Sequence, residues 1–155
     1  MFYKNTVLIT GGTANLGLYA ALQIARQHPE NRIIIASRTD PSSAANRINT
    51  ILSQDNVSFL PLDLSSIAQI RAFAIGYQTK NYPPITVLLL NAGLQFPYEM
   101  QKTTDGYEAT FGINHLGHAL LFHLLTPQLA PNCRVVVTSS GMSRSLRKAV
   151  SFQVN

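Results

Sequence analysis

Apolar side chains run through this chain in two alternating rhythms. Residues 7–10 form a short apolar run that stops at Gly11-Gly12. Between Leu16 and Gln27 the positions Leu18, Ala21, Leu22 and Ala25 recur at helical spacing, and His28-Pro29 ends them. The run 33–36 predicts a strand, because Ile packs well on a pleated surface and loses rotamer freedom in a helix. Pro41-Ser42-Ser43 opens a helix through Ile48, Ile51 and Leu52. Residues 57–62 give a third strand, and Ser65-Ser66 cap a helix carrying Ile67, Ile70, Phe73 and Ala74. Pro83-Pro84 break the chain before the unbroken apolar run 85–90, the kind of strand buried on both faces. Asp105 or Thr104 is expected to cap a long helix running toward Leu125. Pro127 and Pro131 end that region, and residues 135–137 give the fifth strand.

The order is βαβαβαβαβ. Strands separated by helices need crossovers, so the fold class is α/β: a doubly wound parallel sheet with helices on both faces. No repeat or linker divides residues 1–155, which are expected to form one domain, incomplete at its C-terminus because the pattern stops after the fifth strand. Composition adds that the chain folds: 46% of residues are hydrophobic and 12% charged, which excludes disorder. The net charge is +5, partly from Arg144, Arg147 and Lys148. No stripe of Lys and Arg interleaved with aromatics accompanies it, so nucleic acid is not an expected partner. Cys133 is the one cysteine, which excludes an internal disulfide and fits a reducing, cytoplasmic setting. The first apolar run is too short for a signal peptide or a membrane span.

The chemistry starts where the first strand meets the first helix, at Thr10-Gly11-Gly12-Thr13-Ala14-Asn15-Leu16-Gly17. Such a junction turns free backbone N–H groups and the positive end of a helix toward an anion. No Lys follows the last glycine, so it is not a P-loop. The segment resembles the T-G-x-x-x-G-x-G turn of short-chain dehydrogenases/reductases, with Asn15 in place of the middle glycine. It is also one residue from the T-G-x-x-G-x-x-G form of the extended and atypical branches, with Ala14 in place of a glycine. The turn alone does not choose between them, although Asn tolerates positive φ well. The resemblance implies a Rossmann-like sheet in which Gly11, Thr13, Asn15, Leu16 and Gly17 hold a nicotinamide dinucleotide.

Further motifs follow in the family's order. After the second strand stand Ser37 and Arg38, a hydroxyl and a guanidinium suited to a 2′-phosphate, so NADP(H) is expected over NAD(H); Asp40 close by argues the other way. Asp63-Leu64 corresponds to the family's adenine contact, though Asp63 is also a fair helix cap. Asn91-Ala92-Gly93 resembles the N-A-G motif that lines the cofactor and steadies the sheet. The stretch 105–118 is similar to the retinol-dehydrogenase-like and protochlorophyllide-reductase-like branches, and it places Asn114 on the family's catalytic Asn, which interrupts this helix and binds a water contacting the active Lys. His115, His118 and His123 are expected to serve packing, because no Cys or carboxylate joins them and zinc needs a fuller ligand set.

Ser140 matches the catalytic serine that holds a substrate carbonyl during hydride transfer. The family's proton donor, a Tyr four residues before a Lys, should follow it, but no Tyr lies beyond Tyr107. Tyr98 and Lys102 have that spacing on the wrong element. The expected function is therefore an NADP-dependent oxidoreductase acting on a small carbonyl or alcohol, inactive as this truncated chain and prone to self-association through its exposed fifth strand. The alternatives are a non-enzymatic nucleotide-binding or regulatory module and a helix-mediated interaction protein. Retention of both Asn114 and Ser140 favours the oxidoreductase, since nucleotide binding alone needs neither.

Overall fold

A computed structural model describes residues 3–96 and 98–139. Five strands form one parallel sheet: β1 (Thr6–Thr10), β2 (Arg32–Ser37), β3 (Val57–Pro61), β4 (Ile85–Leu90) and β5 (Leu129–Val137). Their order is β3-β2-β1-β4-β5. The chain steps outward from β1 through β2 to β3, then returns to lay β4 on the other side of β1. That reversal between β1 and β4 splays the connections apart at the C-terminal ends of the strands and leaves a crevice there.

The apolar runs read as strands because both faces are covered. Leu8, Ile34, Ala36, Ile85 and Leu88 meet Ile70, Phe73, Ala74, Leu121 and Leu125 in one core. Val7, Ile9, Ile33 and Ile35 meet Ala21, Ala25, Ala44, Ala45 and Ile48 in another. Alternate residues of β1 and β2 thus serve opposite layers. Helices α1 (Asn15–Gln27) and α2 (Ala44–Leu52) cover the second core, while α3 (Ile67–Gln78) and the last helix cover the first. None of the helices in the described residues is long and apolar enough to cross a membrane.

Two expectations are corrected. The long helix is not capped by Asp105 or Thr104. It begins as α4 (Ala109–Phe111), with the Glu108 carboxylate accepting from Thr110 N–H and Phe111 N–H at 2.7 Å each. Asp105 instead reaches across the fold and accepts from Ile67 N–H at 2.8 Å, serving the start of α3 beside the cap residue Ser66. Nearest sequence spacing selected the wrong helix because the loop folds back. The fifth strand is also longer than residues 135–137 and runs through Pro131. Between the pairs Ile85–Leu129 and Val87–Arg134 the register shifts, so residues 130–133 stand opposite one residue of β4. Proline costs no ladder bond in such an irregular stretch. Among the described residues β5 is an edge, and Val137 at its end is 65% exposed.

Candidate functional site

The crevice is a cleft of about 790 Å³ at the C-terminal ends of β1, β2, β4 and β5. It brings together Gly11, Thr13, Asn15, Leu16, Ser37, Arg38, Asp63, Leu64, Asn91, Ala92, Gly93 and Asn114, residues scattered over a hundred positions of sequence. Ser140 lies outside the described residues; Thr138 and Ser139 just before it line the same cleft. Tyr98 and Lys102 do not: Tyr98 is 96% exposed, and Lys102 makes an isolated bridge with Glu108.

The turn after β1 owes its shape to specific residues. Gly11 has φ 67°, and a Cβ there would lie 2.9 Å from Ala92 Cα. Asn15 also adopts a positive φ, 47°, where Asn is among the few tolerated side chains. Gly17 is buried behind the turn instead of on the cleft wall: a Cβ would stand 2.2 Å from the Gly11 carbonyl oxygen and 2.7 Å from Asn91 Nδ2. Its missing side chain lets the helix start pack against the turn. The cap position of α1 is Ala14, which brings no side-chain acceptor, and its first turn has no acidic residue. The opening N–H groups of the helix, at Asn15, Leu16 and Gly17, have no side-chain cap.

At the neighbouring rim, the buried Ser37 Oγ has no partner among the described residues. Arg38 is exposed and makes no ion pair among the described residues. Asp40 is turned away: its Oδ1 accepts from Ala44 N–H at 2.7 Å at the start of α2. Asp63 Oδ1 accepts from both the N–H and the hydroxyl of Ser65, at 2.8 and 2.7 Å, so it braces the lead-in to α3 while also facing the cleft.

Asn91 ties the centre of the sheet. Its Nδ2 donates to the Thr10 carbonyl at 3.1 Å, and its Oδ1 accepts from the Thr138 hydroxyl at 3.1 Å. The Asn114 side chain pairs with both main-chain groups of Leu94, accepting at 3.0 Å and donating at 2.8 Å. A π turn (Gly112–Gly117) separates α4 from α5 (His118–Leu125), so the helix is interrupted at Asn114. Because that turn alters the helical phase, His115 and His118 meet different surroundings despite standing three positions apart. His115 is exposed and stacks on Phe111 with ring centroids 5.0 Å apart, whereas His118 is buried in the cleft wall. The described residues contain no group of three metal-ligating side chains.

Sequence reasoning missed the buried contact of His118 with Thr10, whose Oγ1 lies 2.9 Å from His118 Nε2. The available signal was the four-residue step from Asn114 to His118, which puts the ring near the Asn114 carbonyl; its Nδ1 lies 3.0 Å away. Burial holds the His118 imidazole below its ordinary value near 6.5, and the bond to the Asn114 carbonyl partly opposes this. The unfolded chain therefore takes up this proton more readily than the folded one. Stability from His118 is complete above about pH 6.5 and is lost as pH falls through that value toward the lower folded pKa. Urea midpoints measured at about pH 7.5 and 5.5 should drop on acidification by more than in His118→Gln. Equal drops in the two proteins would contradict it.

A family model described as short chain dehydrogenase matches residues 5–152. Retinol dehydrogenase 12 of Mus musculus is 40% identical over 139 residues, covering 86% of this chain and 42% of that protein. Protochlorophyllide reductase, chloroplastic, of Pisum sativum is 34% identical over 143 residues, covering 88% of this chain and 35% of that protein. Among solved structures, an alcohol dehydrogenase from the archaeon Thermococcus sibiricus complexed with 5-hydroxy-NADP superposes with a TM-score of 0.74 at 19% identity, covering 92% of this chain and 61% of that one. The Pseudomonas aeruginosa RhlG/NADP active-site complex gives 0.65 at 24% identity, covering 84% and 50%. The chain spans about four-tenths of the length of these two curated relatives.

Proposed function

The chain belongs to the short chain dehydrogenase family, and from that membership we propose that its cleft holds NADP(H) and forms the cofactor half of a carbonyl/alcohol oxidoreductase. The observation that carries this is a set of donors on one cleft for which the described residues supply no acceptor. They are the uncapped first turn of α1, the buried Ser37 hydroxyl and the exposed Arg38. Residues of all three line one cavity, which fits a ligand with two separate phosphate positions. Gly93 supports the same reading, since a Cβ there would meet nothing closer than 3.7 Å. Packing within the protein does not demand glycine at that place, whereas a flat ring lying against it would.

On this reading the turn from Gly11 through Thr13, Asn15 and Leu16 cradles the pyrophosphate, with Gly17 holding the turn closed. Ser37 and Arg38 take the 2′-phosphate, and the capping duty of Asp40 removes the nearest competing carboxylate. Asp63 and Leu64 border the adenine. Asn91, Ala92 and Gly93 form the wall beside the nicotinamide end. When bound, the cofactor supplies or accepts the hydride. Ser140 holds the substrate oxygen by its hydroxyl, and Asn114 keeps the facing wall in place through its paired bonds to Leu94. The 155 residues bring no tyrosine after Ser140. We assign them binding and orientation, and assign the proton transfer to none of them.

The test is selectivity at Arg38. Arg38→Ala should weaken NADPH binding by about ten- to a hundredfold, as loss of a charge-assisted contact does, and leave NADH binding within about twofold. Fluorescence titration of both nucleotides reads it. Equal losses for the two, or no loss for NADPH, would refute a role for Arg38 in reading the phosphate.

A further inference from the structure

We propose that His118, neutral with its proton on Nδ1, is a positioning residue that locks the Asn114 segment to the end of β1. The inference gives a mechanical reason for the wall described under the cofactor reading, and rests on that reading for its functional meaning.

The hydrogen-bond count around Thr10 fixes the tautomer. Thr10 Oγ1 accepts from Asn91 N–H at 2.9 Å and from Ala92 N–H at 3.0 Å, which uses both lone pairs. Its single proton has two candidate acceptors: the His118 Nε2 at 2.9 Å and the Leu89 carbonyl at 3.4 Å. The shorter one places the proton on the line to Nε2, which must then be bare. At the other side of the ring, Nδ1 faces the Asn114 carbonyl at 3.0 Å, a group that only accepts, so Nδ1 carries the hydrogen. The two ends demand the same neutral form. Thr10 and His118 are 0% and 5% exposed, so water does not replace a partner that is lost.

The geometry makes the ring a strut. Thr10 immediately precedes Gly11 of the phosphate turn. Asn91 and Ala92 end β4. Asn114 stands in the π turn and clasps Leu94 by both main-chain groups. The main-chain N–H of His118 is directed to His115 O, so it is the ring that reaches Asn114 O. One imidazole therefore joins the turn, the strand end and the interrupted helix, three walls of a single cleft. Glutamine has a donor and an acceptor with which to keep part of this bridge. Leucine fills similar space and keeps none of it.

Two measurements on the 155-residue chain decide the matter, and neither uses a nucleotide. In long-range 15N–1H spectra at neutral pH, the His118 ring should show a protonated Nδ1 and a bare Nε2. A proton on Nε2, or averaging between the forms, would overturn the proposal. In His118→Leu, exchange of the Leu94 amide should quicken by about tenfold or more while the Ile34 amide in the central strand keeps its rate; His118→Gln should hold Leu94 within about threefold of the parent. Equal acceleration at Leu94 and Ile34 would mean a general loss of stability and would overturn the positioning role, as would an unchanged Leu94. If His118→Leu does not fold, the tautomer and the His118→Gln comparison still decide. Failure of NADPH to bind would refute the cofactor reading and leave these results as they stand.

Discussion

Gly17→Ala is expected to abolish nucleotide binding in practice, weakening NADPH by about a hundredfold or more, the equivalent of roughly 2.7 kcal/mol. The added carbon would sit 2.2 Å from the Gly11 carbonyl oxygen and 2.9 Å from its carbon. Those are backbone atoms, so no rotamer change relieves the clash. The turn must open, and the N–H groups it aims at the cleft move with it. Overpacking of this kind also costs about 1–3 kcal/mol of stability. Gly76 in α3 is the internal control. A Cβ there meets nothing within 4 Å, so Gly76→Ala should stabilise the chain by about 0.5–1 kcal/mol and leave binding unchanged. Thermal melts and NADPH titrations of both variants check the pair. Tight binding by Gly17→Ala would show that the turn does not hold the phosphates.

Thr10→Val should cost more stability than any other single hydroxyl removal in the described residues. Valine matches the shape and removes one oxygen. That oxygen serves Asn91 N–H, Ala92 N–H and His118 Nε2. His118 Nε2 would be stranded in a buried place and the two N–H groups in a part-buried one, at about 1–3 kcal/mol each in isolation. Partial relaxation brings the sum to about 3 kcal/mol, and for a chain of this size that lowers the melting temperature by roughly 6–12 °C. Circular dichroism melts read it directly. A loss below about 1 kcal/mol would show that the hydroxyl is not the hub its three partners indicate.

Much of this fold was legible because buried parallel strands announce themselves. The runs around Leu8, Ile34 and Leu88 are apolar without alternation, since both faces of the sheet are covered. Glycine, proline or serine bounds them, so their order followed from local chemistry. The cleft residues were legible for a related reason. Gly11, Ser37, Asp63 and Asn91 each lie at or just past the C-terminal end of a strand, and a parallel sheet gathers those ends on one edge.

What escaped depends on contacts between distant residues. Asp105 caps α3 from a loop 38 positions away, so no spacing rule assigns it there. Pro131 reads as a stop, yet β5 absorbs it where its register with β4 slips. The π turn around Asn114 changes which way His115 and His118 point, and regular helical periodicity hides that. The bond between Thr10 and His118 spans 108 residues and exists only once the last helix docks on the sheet.

On the proposed reading, the cleft residues hold one dinucleotide. Chemical-shift mapping of the 15N-labelled 155-residue chain during NADPH titration tests it most directly. Shifts are expected to concentrate at residues 11–17, 37–38, 63–64 and 91–94, with Ile75 and Ile51 on the outer helices unmoved. Saturation with NADPH that leaves the 11–17 turn unperturbed, or shifts confined to the outer helices, would contradict it.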